Sequence, residues 1–158
     1  MNRALPPAPP KGRKRTENER RVDATNATKG KFGGKAFSMR RGRDCARMAL
    51  FHLREVGRPI PVAAAGTWSN AKEARASLAR MKVSSFPELL DQHLARVSFA
   101  AIQVGDIIQL EAEPGALSDV GAVSIWAGNG TAFGYHEDAT GPVMMILLDP
   151  PVAVWTVL

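Results

Sequence analysis

The chain has 158 residues, 45% of them hydrophobic, and a net charge of +6, which allows one folded core with a tail but leaves little room for two. Its single cysteine, Cys45, excludes an internal disulfide and a cysteine-rich metal site, and we predict neither a metal nor a cofactor. The first residues contain no apolar stretch of signal-peptide length and the sequence has no apolar run of about 18 residues, so we expect no signal peptide or transmembrane segment and a soluble protein made in a cytoplasm.

The first 43 residues carry most of the positive charge. They contain 13 Lys and Arg and 3 acidic residues, whereas residues 44–158 contain 8 Lys and Arg and 12 acidic residues. Because apolar residues are few and unpatterned here, the composition predicts a flexible basic arm over residues 1–43. Docking into a protein assembly is favoured over nucleic-acid binding, and the candidate partner-binding residues are Arg13, Lys14, Arg15, Arg40, Arg41 and Arg43.

Three helices are predicted after the arm. Asp44 is the expected N-cap of a helix over residues 45–56, which ends at Gly57. A capping box that begins at Asn70 predicts a second helix to about residue 81. A third, short helix is expected after Ser85.

The second half of the chain has the alternating pattern of strands. Five strands are predicted, over residues 107–110, 122–126, 131–135, 143–148 and 153–157. Asn129-Gly130 is typical of a two-residue hairpin turn, since both residues tolerate positive φ. Helices followed by closely linked strands predict an α+β domain over residues 44–158, with an antiparallel sheet against which the Cys45 helix packs.

Cys45 is the candidate nucleophile. Its predicted place in the first turn of a helix exposes the thiol to free N–H groups and to the positive end of the helix dipole, which would lower its pKa. The alternative is a small core residue without a chemical role, as most lone buried cysteines are.

Three histidines are candidate bases for this thiol. His52 lies seven residues along the same helix, too far for a hydrogen bond, and is expected to be a packing residue. His93 is expected to be exposed or to cap its helix. His136 follows a predicted strand and precedes Glu137 and Asp138, so it is the candidate base, with either carboxylate as a possible orienting group.

Three short motifs follow one another in residues 44–158. Asp44-Cys45 begins a helix, the Gly-Asp turn in residues 104–108 opens a strand, and residues 122–130 read as a strand that ends in a Gly-Asn-Gly hairpin. Their order resembles that of the NlpC-type branch of papain-like cysteine peptidases, cell-wall hydrolases that also occur in phage tails. The resemblance implies a papain-like domain of N-terminal helices packed on a five- to six-stranded sheet.

The resemblance also shows where this chain departs from the family. Alignment on the hairpin places Ala122 at the position of the family's base histidine, and alanine cannot accept a proton. His136 corresponds, with a shift of about two residues that keeps it on the same strand face, to the third catalytic residue. The implied domain is therefore a degenerate peptidase, unless His136 has taken over as the base.

The chain resembles more closely a group of small prophage tail proteins that keep the Asp-Cys helix, the Gly-Asp strand and a C-terminal tryptophan, here Trp155. This likeness implies a structural or assembly protein of the tail tip, located in the virion tail and bound to other tail proteins. One alternative is an active peptidase that cleaves peptidoglycan stem peptides with Cys45 and His136. A weaker alternative is nucleic-acid binding through residues 1–43.

Overall fold

The computed structural model describes residues 7–8, 12–112, 121–135 and 141–158. Within these ranges the helices come first and the strands follow. The helices are α1 (Glu17–Phe32), α2 (Cys45–Val56), α3 (Ala71–Arg80) and α4 (Phe86–His93). The strands are β1 (Ile107–Gln109), β2 (Val123–Gly128), β3 (Thr131–Tyr135), β4 (Pro142–Ile146) and β5 (Ala153–Trp155).

The five strands form one antiparallel sheet in the order β4-β3-β2-β1-β5. In its middle, Ile107 of β1 lies opposite both Ile125 of β2 and Trp155 of β5. The β2–β3 hairpin turns at Asn129 and Gly130, which adopt φ of 52° and 71°. The predicted α+β class, the antiparallel sheet and this hairpin are confirmed.

The three predicted helices are confirmed together with their caps. The side chains of Asp44, Asn70 and Ser85 each accept a hydrogen bond from the main-chain N–H three residues further on, at 2.9, 2.9 and 3.2 Å. Gly57 ends α2 with φ of 87°, a left-handed conformation that glycine adopts without steric cost.

The structure differs from the predicted flexible arm over residues 17–32, which form α1 and pack against α2. The helix begins at a capping box made by Thr16 and Glu19. Five of its residues are buried, and three of these are polar, which is why apolar spacing did not indicate a helix; the five are Arg21, Ala24, Thr25, Thr28 and Phe32.

A buried ion pair fixes α1 to the sheet. Arg21 Nη1 donates to Asp106 Oδ1 at 2.5 Å, and both side chains are 1% exposed. Arg21 Nη2 also donates to Thr156 Oγ1 at 3.0 Å, while the Asp106 carboxylate accepts from the main-chain N–H of Val157 at 3.2 Å. The Gly-Asp turn thus joins the start of β1 to α1 and to the residues after β5.

The main core lies between the helices and one face of the sheet. Its fully buried residues include Met48 and Leu53 of α2, Leu90 of α4 and Trp155 of β5. A second cluster covers the other face of the sheet and contains Ile108, Trp126, Ala132 and Val154. Helix α2, which begins at Cys45, packs against β2.

His52 is a packing residue, as the sequence indicated. Its Nε2 donates to the carbonyl of Gly105 at 2.7 Å, and its Nδ1 lies 3.0 Å from the hydroxyl of Thr28 on α1. Burial lowers the pKa of His52 from its usual 6.5, so the ring is neutral at pH 7. His93 is exposed in the last turn of α4.

Candidate active site

Cys45 is the first residue of α2 and lies beside the strand that would carry the catalytic base. Its Sγ is 3.9 Å from the carbonyl oxygen of Gly121, and the main chain of Val123 is also close enough to interact with the thiol. The residue between them, Ala122, is half-buried. The structure thus brings the position of the expected base histidine next to the thiol, where this chain has only a methyl group.

Asp44 is engaged in capping and does not act as a base for Cys45. Its Oδ1 accepts from the main-chain N–H of Arg47 at 2.9 Å and its Oδ2 from Arg47 Nη1 at 2.5 Å. The same guanidinium donates to the carbonyls of Met39 and Trp68 and stacks on the Trp68 ring at 3.9 Å. The buried carboxylate is therefore fixed and charge-balanced.

The electrostatics of Cys45 oppose a thiolate. The pKa of Cys45 is raised to about 11, chiefly by burial and also by the neighbouring Asp44 carboxylate, while main-chain hydrogen bonds act in the opposite direction. The main-chain N–H groups at the start of the helix lower this pKa, as expected, but loss of water around the sulfur outweighs them and the net shift is upward. The thiol is protonated at pH 7.

Tyr135, at the end of β3, is a further residue of this site that the sequence did not single out. Burial raises the pKa of Tyr135 to about 12; the charges of Asp44 and Cys45 add to this shift, and Arg43 opposes it. The hydroxyl oxygen is buried and has no hydrogen-bond partner among the described residues. Phe37 packs edge-on against its ring, with centroids 5.5 Å apart.

The predicted base and its orienting groups, His136, Glu137 and Asp138, lie outside the described residues. Their roles stay predictions. Of the two described histidines, His52 bonds to Thr28 and Gly105, and His93 is exposed. Neither serves Cys45 as a base.

A narrow apolar pocket opens beside the thiol. It has a volume of about 50 Å³ and lies between the N-terminal half of α2, the loop before α3, and α3 and α4. Its lining includes Cys45, Leu50, Trp68, Ala74, Leu78 and Phe86. Phe37, Met39 and Gly121 also line it.

The candidate partner-binding residues fall into two groups. Arg13 and Arg15 form exposed ion pairs with Glu19 and Asp23 of α1, and Lys14 between them is exposed. Arg40 and Arg41 are exposed in a short turn closed by the pairing of Ser38 with Arg43, next to Asp44. Their binding role is a prediction that the fold leaves untested.

Two further observations concern the described residues only. Among them, no three His, Cys, Asp or Glu side chains are grouped so that they could hold a metal ion. No helix within the same ranges has the length and apolarity needed to cross a membrane.

The family described as "Domain of unknown function (DUF6950)" matches residues 14–157. The chain belongs to this family. The match includes α1, so the family's domain begins well before the predicted boundary at residue 44. No curated protein matches the chain.

Solved structures show the same fold at low sequence identity. NlpC2 from Trichomonas vaginalis superposes with a TM-score of 0.57 at 16% identity, covering 87% of this chain and 47% of its own. NlpC1 from the same organism gives 0.55 at 16%, covering 86% and 44%. An NlpC/P60 family protein from Bacillus cereus gives 0.55 at 17%, covering 89% and 42%. The chain thus spans less than half the length of these proteins, and the NlpC-type papain-like fold is confirmed.

Proposed function

We propose that this chain is a structural or assembly protein of a phage or prophage tail tip, built on an NlpC-type domain that binds other virion proteins and does not hydrolyse peptides. The tail assignment is supported by the sequence resemblance, which rests on Asp44-Cys45, the Gly-Asp turn and Trp155. The absence of hydrolysis is supported by the geometry around the thiol.

The observation that carries the proposal is the contact between Cys45 and the start of β2. A catalytic thiol needs a base within hydrogen-bond reach, and the backbone beside Sγ presents Ala122. The pKa of about 11 leaves almost no thiolate at pH 7 to act without that base.

The test is incubation of the purified chain with peptidoglycan stem peptides, with cleavage followed by mass spectrometry. We expect no cleavage above that of Cys45→Ala. The tail role is tested separately by immunogold labelling of virions and by deleting the coding sequence: labelled tail tips and failed tail assembly support it, and unlabelled, fully assembled tails contradict it.

A second candidate is an active cysteine hydrolase of peptidoglycan stem peptides, with His136 as base and Glu137 or Asp138 as orienting group. The position of Tyr135 favours it, because the Tyr135 ring packs against Phe37 of the pocket beside Cys45 and His136 is the next residue in the chain. Under this alternative His136→Ala abolishes cleavage of stem peptides. Equal products from the wild type and His136→Ala would exclude it.

A further inference from the structure

The pocket beside Cys45 has the character of a binding site for an apolar group. Its polar side chains are already engaged: Arg47 holds the Asp44 carboxylate, and the Ser77 hydroxyl accepts from Arg80 at 3.1 Å. Water in the pocket would find few partners. Cavities of this kind tend to stay dry and to accept apolar ligands.

Its size limits what can enter. The pocket has a volume of about 50 Å³. Since one water molecule needs about 10–15 Å³, the pocket holds only a few non-hydrogen atoms. A branched aliphatic side chain fits this space, whereas a long acyl chain does not.

An unsatisfied donor lies near the same site. The Tyr135 hydroxyl is buried and has no hydrogen-bond partner among the described residues, and the Tyr135 ring packs against Phe37 of the pocket lining. A buried hydroxyl left unbonded costs free energy, which a ligand's acceptor would recover. If a peptide ligand inserts an aliphatic side chain into the pocket, a carbonyl of the peptide's main chain can be this acceptor.

Two exposed arginines directly follow a residue of the pocket lining. Met39 lines the pocket, and Arg40 and Arg41 follow it in the exposed turn. Neither arginine has an acidic partner among the described residues. Charge complementarity favours an acidic ligand beside this turn.

We propose that the pocket beside Cys45 binds an aliphatic side chain, of the size of valine or leucine, from an extended acidic segment of a partner protein. The Tyr135 hydroxyl donates to a main-chain carbonyl of that segment, and Arg40 and Arg41 attract its acidic residues. The inference rests on the proposed function, because it treats the domain as a binding module, and it specifies the chemistry of the partner.

The test uses capped, labelled acidic heptapeptides that are identical except for a central leucine, valine, glycine or aspartate. Affinity is measured by fluorescence anisotropy with the full chain, and the site is located by protection of Cys45 from iodoacetamide. We expect the leucine peptide to bind about tenfold more tightly than the glycine peptide, from burial of one aliphatic side chain. It should also slow alkylation of Cys45.

Matched variants distinguish binding in the pocket from nonspecific hydrophobic binding elsewhere on the surface. Ala74→Leu fills the pocket and should remove the preference for leucine, whereas Ala76→Leu on the exposed side of α3 should keep it. Ala46→Leu, also in the lining, replaces Ala74→Leu if that variant does not fold. Reversing charge at Arg40 and Arg41 should weaken all the peptides equally and leave the preference unchanged.

The outcomes distinguish this inference from the proposed function. Equal binding of the leucine and glycine peptides, or a preference that survives both filled variants, would overturn the pocket assignment. Tighter binding of a twelve-carbon fatty acid than of the leucine peptide would also overturn it in favour of a lipid. Cysteine-dependent cleavage of the leucine peptide alone would support the pocket and contradict the non-hydrolytic function.

Discussion

Arg21 of α1 and Asp106 before β1 form an ion pair at 2.5 Å that is almost wholly removed from solvent. The guanidinium and the carboxylate each have additional hydrogen bonds, to the C-terminal residues Thr156 and Val157 respectively. Arg21 was expected to lie in the flexible arm, and through this pair it belongs to the folded domain. It also explains why an aspartate stands in the Gly-Asp turn: its two oxygens tie three segments together.

Removal of one partner of this pair should destabilise the fold strongly. Arg21→Met leaves the Asp106 charge buried and uncompensated, so the free energy of unfolding in urea should fall by about 3–5 kcal/mol. Arg15→Ala breaks the exposed pair with Asp23 and should cost less than about 1 kcal/mol. Similar losses for both variants would show that α1 is not anchored through Asp106.

The neutral His52 should make stability depend on pH. Its pKa lies below 6.5 in the folded chain, so the unfolded chain binds the proton more readily. Stability is therefore fully present above about pH 6.5 and decreases as the pH falls below it. Urea unfolding at pH of about 7.5, 6.5 and 5.5 measures this loss. His52→Gln should flatten the profile, and His93→Gln, at an exposed position, should leave it unchanged.

Tyr135→Phe should stabilise the chain. The substitution removes a buried hydroxyl that no described residue hydrogen-bonds and preserves the ring that packs on Phe37. The expected gain is about 1 kcal/mol in the free energy of unfolding. A loss of stability of that size would instead mean that the hydroxyl is satisfied in solution.

The reactivity of Cys45 should be that of a half-buried thiol whose pKa is raised. With a pKa of about 11 the thiolate is scarce at neutral pH, so alkylation by iodoacetamide at about pH 8 should be at least about a hundredfold slower than for a small free thiol. The rate, followed by mass spectrometry, should rise as the pH approaches 11. Alkylation at pH 7 as fast as that of glutathione would indicate an activated thiolate.

Local signals predicted the parts of the fold that local chemistry determines. Asp44, Asn70 and Ser85 cap their helices as expected, and Asn129-Gly130 forms the hairpin, because caps and turns depend on a few adjacent residues. The sequence did not indicate helix α1 because three of its five buried residues are polar. Their partners, among them Asp106, are far away in sequence.

The site was predictable only in part for the same reason. The motif order located Cys45 and indicated that Ala122 stands where a base is expected, and the fold brings these two positions together. The direction of the Cys45 pKa shift, the unpaired Tyr135 hydroxyl and the apolar pocket depend on burial by distant segments. These three features cannot be predicted from the spacing of residues in the sequence.

The most direct test of the central claim is the hydrolysis of purified peptidoglycan stem peptides under reducing conditions at pH 7, comparing the full chain with Cys45→Ala by mass spectrometry. We predict that the two give the same products as buffer alone. Cleavage by the wild type that disappears in Cys45→Ala would contradict the proposal and show that this thiol has a working base.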